Sequence, residues 1–243
     1  MQSKLTPKRT AVLLAIGFVM WLSQAASARD IQFSGYTWEV KESPETVIGP
    51  GPNWFASNDK SVFVDKDGAL HLTVSRQNGV WTSSEVILKQ QLGYGKYTFE
   101  LGSDVSNLDT SLVLGFFTWS ELPAQQHREL DVEFSRWSQP QDPTNAQFVV
   151  QPYDVADNRQ RWTLPAAATS VHTMKWAKGT ASFESFADGK PVASWSQNSS
   201  DKIPQPGDSR IHLNLWQFRG QAPALGVGAE IVIKKFSFSP SDS

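Results

Sequence analysis

From Arg29 onward the chain is a run of short strand-like segments broken by turn signals, and no stretch holds a helical period for three turns. Ser61-Val-Phe-Val64, the turn Asp65-Lys-Asp-Gly68 and Ala69 to Ser75 read as a hairpin with a glycine-bearing loop, and Asp188-Gly-Lys-Pro191 as a second hairpin turn. Further strands are expected at Glu85–Lys89, Lys96–Leu101, Leu112–Trp119, Leu130–Ser135, Gln147–Gln151, Val171–Trp176, Ala181–Phe186, Arg210–Trp216 and Ala229–Phe238. Ala166–Ala168 is at most a short helical turn in a loop. Many strands without intervening helices imply an all-β fold, an antiparallel sandwich rather than a parallel βαβ sheet. No 20–50-residue period repeats and no Ser/Gly/Pro linker divides the chain, so residues 29–243 are expected to form one domain.

The first segment concerns address. Lys4, Lys8 and Arg9 precede a 12-residue apolar run, Ala11 to Leu22, and Ala26-Ser-Ala28 supplies the small residues a signal peptidase prefers. Twelve apolar residues fall short of the ~20 that span a bilayer. Residues 1–28 therefore read as a signal peptide, and a secreted or periplasmic protein free of membrane is expected once it is cut. Removing them takes away three bases and no acids, which leaves 19 bases against 24 acids. That balance gives no general affinity for nucleic acid. Zero Cys excludes disulfides, thiolate metal sites, a Cys nucleophile and an acylated Cys. Ten Trp and 14 Phe exceed ordinary core needs, and exposed aromatic faces are one way to hold sugars.

The chemical signal is Glu129-Leu-Asp131-Val-Glu133-Phe134. Residues two apart in a strand share a face, so the carboxylates of Glu129, Asp131 and Glu133 point one way while Leu130, Val132 and Phe134 point into the core. Adjacent like charges raise one another's pKa, and folding alone does not ask for them. Arg128 and Arg136 stand at the ends with the opposite parity and form no salt-bridge ladder. A solvated edge strand fits poorly beside the surrounding aromatics. A calcium site needs six to eight oxygens from looping backbone, which a regular strand supplies badly. Paired carboxylates, one with a raised pKa, are what glycosidic bond cleavage requires.

At these residues the chain resembles glycoside hydrolase family 16, whose signature is Glu-(Ile/Leu)-Asp-X-Glu. The resemblance continues through Thr82-Ser-Ser-Glu85-Val, Tyr94-Gly-Lys-Tyr97, Gly115-Phe-Phe-Thr-Trp119, His172-Thr-Met-Lys-Trp176, Asp188-Gly-Lys190 and Asn214-Leu-Trp216. It implies a two-sheet, concanavalin A-like jelly roll with an open groove that acts on β-linked polysaccharide with retention. It also implies roles: Glu129 as nucleophile, Glu133 as general acid/base, and Asp131 between them, helping to keep Glu133 protonated while Glu129 stays ionised. A single residue separates Asp131 from Glu133, as in the family's regular-strand branch. That branch favours mixed-linkage β-1,3-1,4-glucan or xyloglucan over pure β-1,3-glucan or algal galactans.

Glu85 and Asn214 resemble the family's polar groove contacts, and the motif places Trp216 in the groove; Trp119 and Trp137 stand equally well in groove or core. Trp38, Trp81, Trp162, Trp176 and Trp195 are expected as core or loop anchors, and His127 and His172 as structural. No catalytic metal or cofactor is implied; a structural calcium is known in the family, but no ligand cluster places one here. A monomer is expected, with polysaccharide or oligosaccharide as its partner. The sugar-contacting shell departs from licheninases: His127-Arg128 replaces Trp-(Asn/Asp) before the signature, Phe134-Ser-Arg-Trp137 replaces Phe-Leu-Gly-Lys after it, and Val149 replaces a common Asn. Two other functions share this frame: a transglycosylase that passes the intermediate to a sugar, and a non-catalytic lectin-like binder, which has no use for three carboxylates on one strand.

Overall fold

The computed structural model describes residues 29–43, 45–123 and 129–241; the segment read as a signal peptide, and His127 and Arg128, lie outside the described residues. Strands are numbered in chain order. One sheet runs β1 (Arg29–Phe33), β2 (Tyr36–Val40), β6 (Val80–Leu88), β15 (Arg210–Gln217), β8 (Leu112–Trp119), β9 (Leu130–Phe134), β10 (Ala146–Val150), β11 (Arg159–Trp162). The other runs β4 (Val62–Val64), β5 (Leu70–Gln77), β16 (Ala229–Pro240), β7 (Gly95–Leu101), β12 (Ser170–Ala177), β13 (Thr180–Ala187), β14 (Lys190–Gln197). Pairing of β5 with β6 joins the two sheets, and the two-residue β3 (Trp54–Phe55) lies parallel to β6, the exception among the otherwise antiparallel pairings of the described residues.

The sheets close on each other because each strand offers one apolar face. Phe99 of β7 stacks on Phe116 of β8 at 4.7 Å, and Phe148 of β10 on Phe183 of β13 at 5.2 Å. Phe134 of β9 meets the ring of His172 on β12 at 4.6 Å. His172 is wholly buried with its ring nitrogens 2.8 Å from the hydroxyls of Ser170 and Ser185, so it is a structural residue. Burial depresses its pKa to about 3, and it stays neutral. Trp38, Trp162 and Trp176 are buried in the same cluster, with Trp81 and Trp195 packed half-buried against it.

The strand reading holds best where apolar alternation is clean: Leu112–Trp119 is β8 residue for residue. The structure adds β1, β2, β3, β11 and β14, which lack a dense apolar run; β14 (Lys-Pro-Val-Ala-Ser-Trp-Ser-Gln) is an outer strand with little to bury. Ala166–Ala168 forms no helical turn but an irregular connection, with a bend at Ala168, into β12. The hairpin at Asp188-Gly189 has positive φ at both residues, 45° and 75°, the geometry whose twist matches the flanking strands.

Candidate active site

Period-2 alternation lays the outer face of the first sheet out as a grid. One row crosses six strands in register: Arg161, Gln147, Glu133, Gly115, Asn214 and Glu85. The next row holds Arg159, Val149, Asp131, Phe117, His212 and Ile87. Glu129 lies just before β9, and its carbonyl accepts the Gln151 N–H at 2.9 Å, which continues the ladder to the third carboxylate. The strand is regular: β9 pairs with both neighbours without a register shift. These rows floor a groove of about 980 Å³, and all eight residues expected at the site line it: Glu85, Trp119, Glu129, Asp131, Glu133, Trp137, Asn214 and Trp216.

Gly115 sits between Glu133 and Asn214, and a Cβ there would come within 2.7 Å of Asn214 Oδ1. Its missing side chain keeps the floor open beside the acids. Asn214 Oδ1 is buried and makes no hydrogen bond among the described residues.

The carboxylates are costly in place. Burial pushes Glu129 up to about 8, with the charges of Glu133 and Glu85 adding to it. Asp131 is only 3% exposed and is raised by burial and by Glu129 and Glu133, while Gln151 Nε2 donates to its Oδ2 at 2.9 Å and restrains the rise. Burial pushes Glu133 up to about 7, less far, because Gln147 Nε2 donates to its Oε2 at 2.7 Å and Arg161 and Arg159 lie close. Both glutamates are thus raised by burial, and the basic, hydrogen-bonding side of β10 and β11 restrains the rise at Glu133.

Glu85 is held from three sides. Its carboxylate is fully buried, with Lys41 Nζ at 3.1 Å, His212 Nδ1 at 2.8 Å and Asn214 Nδ2 at 3.2 Å. Burial alone would raise its pKa, but Lys41 and His212 outweigh that and hold it below the usual carboxylate value. Lys41 therefore covers Glu85 on the groove side. Nothing in the local sequence around Lys41 announces this, because the contact depends on β2 pairing with β6.

The aromatics form a rim. Trp137 packs edge-on to Trp216 and Phe218, with centroids at 6.4 and 5.4 Å. It reaches the groove not by continuation of β9, which ends at Phe134, but through a turn in which Trp137 and Ser138 adopt φ of 53° and 59°. Trp119 lines the groove with its indole N–H on Glu121 at 3.0 Å. On the β11 side, Arg159 lies over the exposed ring of Tyr153 at 5.5 Å. Gln151, Tyr153, Arg159 and Arg161 were not singled out from sequence. Alternation in Arg159-Gln-Arg161-Trp162 was the available signal, since it sets both guanidinium groups on the groove face.

The profile of glycosyl hydrolases family 16 matches residues 52–230, which takes in both rows of the grid. The chain belongs to glycosyl hydrolases family 16. Solved structures agree on the fold. A Bacillus licheniformis beta-glucanase aligns at TM-score 0.62 and 20% identity over 90% of this chain and all of its own. A beta-1,3-1,4-glucanase (lichenase) derived from a mouse hindgut metagenome aligns at 0.59 and 17% identity, over 88% of this chain and 98% of its own. Rv0315 of Mycobacterium tuberculosis, described as a pseudo beta-1,3-glucanase, aligns at 0.62 and 15% identity, over 84% and 91%. No curated protein matches the chain in sequence. A family 16 chain is one whose fold serves hydrolysis of glycosidic bonds, with polysaccharide as the partner class. The fold here is the family's jelly-roll sandwich, in its regular-strand form.

Proposed function

We propose that this chain is an exported endo-β-glucanase that cleaves mixed-linkage β-1,3-1,4-glucan with retention, and that it acts as a monomer formed by residues 29–243. The observation that carries the reading is the convergence of Glu129, Asp131 and Glu133 on the floor of an open, aromatic-rimmed groove, all with raised pKa. A lectin would have no return for burying three acids. Glu133 protonates the glycosidic oxygen, the bond's electron pair leaves with that oxygen, and Glu129 bonds to the anomeric carbon. Water then attacks as Glu133 takes its proton and Glu129 departs. The positive charge developing at the anomeric carbon beside Glu129 favours its ionised form. Asp131, held by Gln151, stands between the two glutamates and is raised by the charges of both. The regular β9 and the lichenase among the structural relatives support the mixed-linkage substrate. The basic, apolar and small-residue order of residues 1–28 supports export.

The test is to incubate the purified mature chain with lichenan, laminarin, xyloglucan, agarose and carrageenan and to size the products. Short oligosaccharides with new reducing ends from lichenan are expected; longer, recombined chains would indicate a transglycosylase, and binding without cleavage a lectin.

Trp216→Ala is expected to weaken turnover more than it weakens the fold. The ring is half-buried on the groove face, so truncation removes sugar contact more than core contact. A core Trp would cost ~3–5 kcal/mol of stability. Melting curves with and without oligosaccharide separate the two: a large loss in the ligand-free protein with normal turnover would place Trp216 in the core.

A further inference from the structure

Behind Glu133 stands a chain of contacts that the cleavage steps do not by themselves require. Asp142 Oδ2 holds Arg161 Nη2 at 2.9 Å, Thr144 Oγ1 accepts Arg161 Nε at 2.7 Å, and the Thr144 carbonyl accepts Arg161 Nη2 at 3.2 Å. Asp142 is in turn fixed by the Thr144 N–H at 2.8 Å and hydroxyl at 2.6 Å. Arg161 Nη1 then donates to Gln147 Oε1 at 3.2 Å, and Gln147 Nε2 donates to Glu133 Oε2 at 2.7 Å. Gln147 is only 4% exposed, and β10 places it directly between Glu133 of β9 and Arg161 of β11.

Chemistry settles the orientation of this amide. A guanidinium has donors and no acceptor, so the side of Gln147 that meets Arg161 must be its oxygen, and the NH₂ must face Glu133. A donor aimed at Oε2 cannot share that oxygen with an acid proton pointing the same way. Arg161 thus controls Glu133 at second hand, by forbidding the amide to turn over.

We propose that Arg161, acting through Gln147, directs the acid proton of Glu133 onto Oε1, to which no donor among the described residues bonds, so that both are positioning residues for the general acid. The proposal rests on the hydrolase reading above and deepens it. In the first step the Oε1 proton passes to the glycosidic oxygen as the anomeric bond to that oxygen breaks and the bond to Glu129 forms. In the second, Oε1 takes a proton from the attacking water as the Glu129 bond breaks. Gln147 Nε2 keeps its bond to Oε2 throughout. Without Arg161 the amide is free to turn, offer its oxygen to Oε2–H and hold the proton away from the groove.

Among the described residues, the charged groups facing Glu133 are Asp131 on its own strand, Glu129 just before it, and Arg159 and Arg161 on β11, with Asp142 behind Arg161. From β8 it faces Gly115 and Phe117, and beyond them lie His212 on β15 and Glu85 on β6, the latter acting on Glu129. Of these, Arg161 and Arg159 favour ionised Glu133, as does the Gln147 bond. Removing Arg161 or Gln147 therefore raises the Glu133 pKa, the protonated acid persists to higher pH, and the alkaline limb of the rate profile moves upward.

The experiment compares Arg161→Met and Gln147→Leu with the wild type on lichenan and on a dinitrophenyl β-glycoside of a glucan oligosaccharide, whose leaving group departs without a proton. General acid catalysis is worth ~10²–10⁴-fold, so a misplaced proton should lower kcat/KM on lichenan by about 10–100-fold in each variant. The alkaline limb should move to higher pH, while the first-turnover release of dinitrophenolate falls far less. Because Arg161→Met removes the ion pair of Asp142, melting curves accompany both variants, and Gln147→Leu carries the comparison if Arg161→Met unfolds. Equal losses on the two substrates with an unmoved alkaline limb, or no loss on lichenan, would overturn the proposal and leave the hydrolase reading standing. A wild type inactive on every polysaccharide and on the aryl glycoside would overturn that reading, and the proposal with it.

Discussion

Glu129→Gln should abolish cleavage of β-glucan and at the same time make the protein harder to melt. The substitution keeps shape and removes the group that bonds to the anomeric carbon, so turnover is expected to fall by at least about 10⁴. The gain in stability follows from the raised pKa. Glu129 holds its proton up to about 8 in the folded state, whereas an unfolded Glu releases it near ~4.3. Where the folded chain holds more protons than the unfolded one, stability falls as pH rises, so this residue penalises the fold progressively from about pH 4 to pH 8. Gln carries no such penalty. The melting-temperature difference between variant and wild type should therefore widen from pH 5 to pH 8, at about 2–4 °C per kcal/mol for a domain of this size. His172 contributes with the opposite sign, but it does so in both proteins and cancels. A variant that kept a tenth of wild-type turnover would remove Glu129 from its assigned role.

Lys41→Met should cost more stability than any other single change at the groove that leaves the acid row intact. Glu85 is fully buried, and Lys41 is its cationic partner at 3.1 Å. Removing one partner of a buried pair leaves an uncompensated charge and costs ~3–5 kcal/mol. The contact of the ammonium with the Phe55 ring at 4.6 Å is lost as well. The wild-type carboxylate has a lowered pKa, so its contribution is present above the unfolded value and lost as pH falls through the folded one. The deficit of Lys41→Met should accordingly be large at pH 7 and shrink toward pH 4. Lys41→Met combined with Glu85→Gln should recover most of it, because the stranded charge is gone. Denaturant unfolding at the two pH values measures this; a deficit independent of pH and not relieved in the double variant would mean that Lys41 acts by packing alone.

How far the sequence could be read depends on where each residue's partners lie. Alternation in Glu129–Phe134 fixed which side chains face the groove and which the core, because period 2 is a property of the strand itself. The same logic placed β8 to the residue. It missed β11 and β14, whose outer positions require little apolar surface, and with β11 it missed Arg159 and Arg161. Trp137 reached the groove through a left-handed turn that parity does not foresee. The surroundings of the acid also escaped local reading, because Gln147 and Arg161 come beside Glu133 only when β10 and β11 pair with β9. The burial of Glu85 was not legible locally either, because Lys41 reaches it from the end of β2 and His212 from β15.

The measurement that bears most directly on Glu129 and Glu133 as nucleophile and acid/base is the anomeric configuration of the first product. Proton NMR of lichenan digested by a high concentration of the mature chain records the newly formed reducing end before it mutarotates. A covalent intermediate on Glu129, opened by water with help from Glu133, requires that the β-anomer appear first and the α-anomer grow in later. An α-anomer at the earliest times would mean that water attacks in one displacement, and the double-displacement account built on Glu129 and Glu133 would be wrong.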